Sequence, residues 1–511
     1  MNKFLKLIFN RVAITGLLIL LQLGIILFWV LSLTNQFIYF YFFSLFLGLA
    51  LVIYIIGRTD NPSYKLAWAI PILLLPIFGG FLYLIFGGSK ARKRLRKRIE
   101  KSLKNVDKYY DDNEDIIKEI EGIDKSASNI IRYTKNSSGY PIYKNTSSKY
   151  FSSGEEFFPV FLEELEKAKH FIFMEYFIIG EGLMWDSILE ILKRKVSEGV
   201  DVRLIYDDFG CARTLPNNYS KKLESFGIKV HVFNQVMPVL SSVLNNRDHR
   251  KITVIDGKTA FTGGLNLADE YINEIERFGY WKDSAVILKG DAVWSFTTMF
   301  LKMWSVIDNR TIDYDKYLPF KPVNNVELND GYVQVYGDSP YDGELIGESI
   351  YMSILNRAKD YVYIYTPYLI IDNEVLTSLT IAAKSGIDVR LVTPHIEDKW
   401  YVHIITKSYY AQLIEAGVKV YEYTPGFVHS KVFLSDDEIA TVGTINLDYR
   451  SLYLHFECGT YLYKTESIKD IKKDFEETFK SCRRITLEDT KKIKWSNRFL
   501  RAIIRLVAPL L

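Results

Sequence analysis

Apolar positions follow two regimes along the chain. Up to about residue 88 they run almost unbroken; beyond about residue 125 they fall into short β-branched and aromatic blocks separated by helix-periodic stretches. Val12 to Leu33 carries no charge, nor does Phe37 to Gly57, and only Thr34-Asn35-Gln36 separates them. At ~1.5 Å per residue each run can cross the ~30 Å hydrocarbon of a bilayer. The pattern therefore predicts a membrane-inserted helical hairpin over about 12–57. A cleaved leader is disfavoured, because the first run is too long and no small-residue cleavage site precedes the second.

Leu66 to Gly88 is a third apolar segment, broken by Pro71, Pro76 and Gly79-Gly80. Proline removes a backbone donor and kinks a helix, and lipid offers no replacement. Lys3, Lys6 and Arg11 precede the first run, Arg58 and Lys65 follow the second, and Lys90, Arg92, Lys93, Arg94, Arg96, Lys97 and Arg98 follow the third. Keeping all these flanks on the cytoplasmic side favours two full spans plus a re-entrant third segment over three spans. Residues 1–105 thus read as a membrane region, and the basic flank 90–104 suits anionic headgroups. At the other end, Phe499, Leu500, Ile503, Ile504 and Val507 recur at helical spacing between Arg498, Arg501 and Arg505. This predicts a basic amphipathic tail over 491–511 that lies on a membrane surface or packs against the soluble part of the chain, the first being favoured.

The remainder repeats itself. The block 168–176 is answered by 358–366, Gly199-Val200-Asp201-Val202-Arg203 by Gly386-Ile387-Asp388-Val389-Arg390, and Gly227-Ile228-Lys229-Val230 by Gly417-Val418-Lys419-Val420. Each half reads strand, helix, strand, helix, strand. That alternation implies an α/β fold of two duplicated halves with largely parallel sheets, over 125–320 and 331–490, with 305–330 as linker. The net charge of +3 hides the basic and apolar asymmetry of the first hundred residues. The three cysteines lack CxxC spacing, which argues against a disulfide framework or a zinc site.

The chemistry lies at the end of each repeat. His249-x-Lys251-x4-Asp256 is followed by Gly263-Gly264-Leu265-Asn266, and His429-x-Lys431-x4-Asp436 by Gly443-Thr444-Ile445-Asn446, with identical spacing. Cleaving a phosphodiester needs a nucleophile, positive charge on the nonbridging oxygens and an acid for the leaving alkoxide. Neutral imidazole can be the nucleophile, and a second imidazole the acid. Lys251 and Lys431 suit phosphate oxygens, Asn266 and Asn446 can donate amide hydrogens to them, and the glycines permit close approach. In a strand, His and Lys two apart share a face. Asp256 and Asp436 complete the motifs and are expected to organise loops. No metal or other cofactor is required. Asp207-Asp208 could ligate a cation but is expected to be a solvated or turn-forming pair.

With these motifs, over roughly 125–490, the chain resembles the phospholipase D superfamily. Leu66-Ala67-Trp68 with Pro76, Gly79, Tyr83 and Phe86-Gly87, then Asn446-x-Asp448-x-Arg450-Ser451 and the closing Arg505-to-Leu511, is similar to bacterial cardiolipin synthases. The resemblance implies that both motifs build one site, that one histidine is phosphorylated while the other acts as acid, and that Asp283 and Glu457 orient the histidines. It implies transfer of a phosphatidyl group between two phosphatidylglycerol molecules, giving cardiolipin and glycerol. His249 is taken as nucleophile and His429 as first-step acid, although the symmetry of the motifs allows the converse. A membrane phospholipase D-type hydrolase, or a transphosphatidylase with another acceptor, would use the same residues. Nucleic acid is disfavoured, since the chain shows no basic and aromatic groove. The implied setting is the cell membrane, with the catalytic halves cytoplasmic. His455 stands where the family leads one to expect asparagine, and is read as a packing residue. Val236-to-Leu240, Trp400-Tyr401 and Tyr409-Tyr410 are candidate acyl-chain contacts.

Overall fold

The computed structural model describes residues 11–36, 38–87, 97–99, 107–110, 112–235, 246–318, 330–341, 343–491 and 501–510 apart from 503 and 507. Most of the basic flank, Val236-to-Leu240, residues 319–329 of the expected linker and 492–500 of the tail lie outside these. Two compact units form: Met1–Leu95 with Asn234–Asn246 and Lys494–Leu511, and Arg96–Phe233 with Arg247–Ile493.

In the first unit the apolar runs become helices Arg11–Gln36 and Ile38–Ile56, followed by the shorter Pro62–Leu74 and Pro76–Leu82. Asn61 caps the third by accepting the Ser63 N–H at 2.9 Å, and Pro62 and Pro76 occupy first-turn positions, where a missing N–H costs nothing. The two short helices fold back on each other so tightly that a Cβ on Gly79 would stand 2.4 Å from the Pro71 carbonyl oxygen. Trp68, Ile72 and Tyr83 form a small core with Val52 and Ile55. The C-terminal turn Ala508–Leu510 packs against Pro62–Leu74, with Ala508 buried. Counted over the described residues alone, no helix is long and apolar enough to cross a membrane.

The second unit carries the duplication. One sheet of seven strands runs Thr146–Phe151, Ala285–Gly290, Thr259–Gly263, Ile252–Ile255, Phe171–Tyr176, Asp201–Asp207, Lys229–Phe233. In the nine-stranded sheet the order Glu457–Tyr463, Ile439–Gly443, Val432–Ser435, Tyr361–Tyr365, Asp388–Pro394, Lys419–Tyr423 repeats it strand for strand from Ala285–Gly290 onward. The halves are α/β as expected, but the sheets are mixed. Only the last three strands of each series are parallel. The strand that follows each motif turns back through Asp256-Gly257-Lys258 or Asp436-Asp437-Glu438, too short a connection for a parallel crossover.

Two boundaries move. Lys125–Ser138 and Ile142–Tyr143, expected in the first half, belong to the second. Ile142–Tyr143 pairs with Tyr332–Asp338, and the Asp124 cap ties to Arg357 at 2.5 Å. The expected linker is partly structured, because helix Val293–Asp308 and the turn Tyr314–Tyr317 occupy its first part. The helix buries Phe296, Phe300 and Trp304, and an apolar face of that width outweighs the turn-like Asp and Asn that follow it. Cys211, Cys458 and Cys482 are free thiols.

Candidate active site

Each motif begins just ahead of a strand rather than within it. His249 and Lys251 precede Ile252–Ile255, and His429 and Lys431 precede Val432–Ser435. This frees the histidine backbones for partners in the opposite half. The His249 N–H donates to the Phe456 carbonyl at 3.0 Å, and the His429 N–H to the Lys282 carbonyl at 2.7 Å. Phe456 and Lys282 immediately precede Glu457 and Asp283. Short parallel pairings hold the two segments, Tyr280–Lys282 against Gly426–Val428 and Asp248 against Phe456. The two motifs therefore meet at a pseudo-twofold seam between the halves.

The side chains cross the same seam. Nδ1 of His249 lies 2.9 and 3.0 Å from the two Glu457 oxygens, and Nδ1 of His429 lies 2.6 Å from Asp283 Oδ2. A carboxylate on Nδ1 holds that proton there, leaving the Nε2 lone pair open and stabilising a ring that becomes positive. Lys251 Nζ donates to the His249 carbonyl at 2.6 Å; Lys431 Nζ donates to the His429 carbonyl and lies 2.9 Å from its Nδ1. Arg250, between His249 and Lys251, faces the other way and pairs with Asp248 and Glu175 at 3.0 and 2.5 Å.

The glycine motifs serve this crossing. A Cβ on Gly264 would stand 1.9 Å from Asp283 Oδ1, so only glycine leaves room for the carboxylate. At the equivalent place the Thr444 hydroxyl donates to Glu457 Oε2 at 2.5 Å. Asn266 accepts the Ile178 N–H at 2.9 Å and donates to the Tyr271 hydroxyl at 2.8 Å, so it holds the site's walls with part of its amide. Asn446 is buried, and its Oδ1 has no hydrogen-bond partner among the described residues.

Asp256 and Asp436 lie away from the chemistry. Asp256 accepts the backbone N–H groups of Lys169, His170 and Phe171 at 2.7–2.8 Å. Asp436 repeats this with Lys359, Asp360 and Tyr361 at 2.9 Å. Each holds its central strand to the turn after the motif from a left-handed backbone, φ +52° and +55°. Asp207 is indeed turn-forming, accepting the Phe209 and Gly210 N–H groups. It is not solvated: burial raises its pKa to about 7 despite the nearby Arg247.

Composition alone could not reveal the aromatic walls. Tyr271, Trp281 and Phe427 surround the His429 ring, with centroids at 5.7, 5.3 and 6.0 Å. Phe177 and His455 flank His249 at 5.1 and 5.6 Å. The signal for them in the sequence was that Trp281 and His455 each stand two residues before the acids Asp283 and Glu457. Burial, then the lysine charges, push the His249 pKa well down. Burial and Lys431 push His429 down to about 4, against the pull of Asp283. Burial likewise lowers Lys251 to about 8 and Lys431 to about 7. Burial raises the Asp283 pKa, but His429 and Lys431 outweigh it, and the group stays below the usual carboxylate range. Both imidazoles are thus neutral at pH 7, beside a Lys251 that is mostly charged and a Lys431 poised between its two forms, and an anionic phosphate would favour the charged form of both.

The family described as "Cardiolipin synthase, PLD-like domain" matches residues 161–304 and 351–479, and that described as "Phospholipase_D-nuclease N-terminal" matches 46–88. An "Uncharacterized protein" of Streptococcus mutans serotype c is 48% identical over 90% of this chain and 99% of its own length. Cardiolipin synthase 2 of Bacillus anthracis is 35% identical over 89% of this chain and 88% of its own. Among solved structures, the phosphatidylserine synthase of Haemophilus influenzae superposes with a TM-score of 0.55 at 15% identity. The match covers 75% of this chain and all of that one, a likeness of fold.

Proposed function

The chain belongs to the cardiolipin synthase family with phospholipase D-like domains, and on that premise we propose how its site transfers a phosphatidyl group from one phosphatidylglycerol to another. The observation that carries the proposal is the crossed pair of histidines, each held by an acid of the opposite half. Nε2 of neutral His249 attacks phosphorus of the first phosphatidylglycerol while Lys251 and Lys431 hold the nonbridging oxygens. As the His249–phosphorus bond forms, the bond to the glycerol oxygen breaks. His429, protonated once the anionic substrate offsets the lysine charges, gives its proton to that oxygen. Glu457 stabilises the positive ring of the phosphatidyl-histidine.

In the second half-reaction a terminal hydroxyl of another phosphatidylglycerol gives its proton to His429. Its oxygen attacks phosphorus and His249 leaves, so one cardiolipin and one glycerol form. The aromatic walls around both rings restrict water, which favours a lipid alcohol as acceptor.

We assign the first unit to the membrane. Leu20, Phe28, Trp29, Phe46 and Leu74 are among its broadly exposed apolar side chains, as expected for groups facing lipid. Helices Pro62–Leu74 and Pro76–Leu82 would reach only ~20 and ~10 Å, short of the ~30 Å hydrocarbon. Their length favours a re-entrant third segment over a third span, and the basic flanks lead us to keep the catalytic halves cytoplasmic, with Arg501 and Arg505 at an anionic surface.

The test is incubation of the purified protein with radiolabelled phosphatidylglycerol in vesicles and no other alcohol. Cardiolipin and glycerol in equal amounts are expected. Phosphatidic acid without cardiolipin would instead establish hydrolysis.

A further inference from the structure

His455 is the group near the site that the proposed reaction does not use. Its side chain is 10% exposed, and both ring nitrogens are buried without a hydrogen-bond partner among the described residues. Its Nδ1 lies 3.7 Å from Glu457 Oε1, the oxygen that sits 2.9 Å from His249 Nδ1. One ligand atom from each of His249, His455 and Glu457 lies within 4.8 Å of the other two. Zinc bonds of ~2.0–2.2 Å give tetrahedral edges of roughly 3.3–3.5 Å, and the distances of 2.9 and 3.7 Å bracket that range. Two imidazoles and one carboxylate form a donor set that leaves a fourth position open.

We propose that His455, Glu457 and Nδ1 of His249 form a site for a divalent transition metal of the zinc class, and that its occupation switches off His249. The shut-off rests on the role of His249 given above. Metal on Nδ1 leaves the proton of the neutral ring on Nε2. The lone pair that would attack phosphorus is then gone, and Glu457 is spent on the metal. Imidazole-rich donors select zinc, cobalt or copper over magnesium and calcium, and the lysine cations nearby further disfavour weakly held hard ions.

Binding is read apart from activity by titrating the metal-free full-length protein with cobalt(II) and following its visible absorption, then displacing cobalt with zinc. The wild type is expected to take one equivalent with a tetrahedral spectrum. The variant His455→Asn is expected to show at least tenfold weaker binding. Zinc should lower wild-type phosphatidyl transfer at least tenfold, reversibly with EDTA. It should leave His455→Asn near its own metal-free rate, and magnesium should do neither. Absence of a tetrahedral cobalt spectrum in the wild type overturns the site, whatever the variant does. Equal binding in the variant overturns the role of His455. Cobalt bound with transfer unaffected by zinc overturns the switch. A protein that binds cobalt but makes no cardiolipin would instead fail the functional reading and leave the metal site standing.

Discussion

Asp283 Oδ2, from the first half of the duplication, lies 2.6 Å from Nδ1 of His429, from the second. Glu457 repays the contact on His249 from the opposite side. Neither half supplies the carboxylate that contacts its own histidine, so in the proposed reaction neither half is a complete catalyst. This gives the duplication a physical reason: the orienting acid and the ring it orients are spaced across the seam, not along the chain.

Crossing predicts which losses overlap. Asp283→Asn should cost ~10²–10⁴-fold in turnover, the usual range for a positioned acid or base. Adding it to His429→Ala should cost little more, because both act through one ring. Single-turnover rates of the single and double variants check this. Coupling of Asp283 to His249 rather than His429 would contradict the geometry.

Gly264→Ala places a methyl group where Asp283 Oδ1 now sits, at 1.9 Å. The carboxylate must move off His429. The expected result is a loss of turnover close to that of Asp283→Asn, with thermal unfolding shifted only slightly. Full activity would show that the carboxylate can sit elsewhere.

The lowered lysine pKa values predict the alkaline side of the pH profile. Lys431 loses its proton near about 7 and Lys251 near about 8 in the substrate-free protein. Because the proposed reaction uses the charged lysines to hold phosphate, kcat/KM should fall as pH rises through that window. Lys251→Arg, which stays charged, should move the later part of the fall upward whatever its absolute rate. An unchanged limb would remove Lys251 from phosphate binding.

Acid acts on stability. His429 has its pKa lowered from 6.5 to about 4, and His455 from 6.5 to about 3. Between those values and about 6.5 the unfolded chain binds protons that the folded chain refuses, so stability falls as pH drops. Below about 3 both states are protonated and the decline from these groups stops. Denaturant unfolding from pH 7 to 4 should show the slope, and His455→Asn should flatten it.

Asp256→Ala leaves the N–H groups of Lys169, His170 and Phe171 without their carboxylate. A loss of about 2–4 kcal/mol of stability is expected, with kcat of the surviving folded protein near wild type. Loss of turnover at unchanged stability would place Asp256 in the chemistry after all.

Much of this was legible in residues that repeat. Motif spacing located His249, Lys251, His429 and Lys431, and the β-branched blocks located the strands of each half. The positions of Asp256 and Asp436 beyond their lysines marked them as loop organisers. The crossed pairing was not legible, because nothing local to Asp283 says which histidine it reaches; that depends on the parallel contact of Tyr280–Lys282 with Gly426–Val428. The mixed sheet was missed because the alternation of strands and helices stops at the motif, where a short turn forces an antiparallel return. Ile142–Tyr143 could not be placed from pattern, since two residues carry no periodicity and only long-range pairing assigns them to the second half.

The most direct test of the shared site is to trap its intermediate. Purified His429→Ala protein is incubated with phosphatidylglycerol carrying a labelled acyl chain, quenched, digested and read by mass spectrometry. The account predicts a phosphatidyl adduct on His249 that forms slowly and does not turn over to cardiolipin. An adduct on another residue, or undiminished cardiolipin synthesis by that variant, would contradict it.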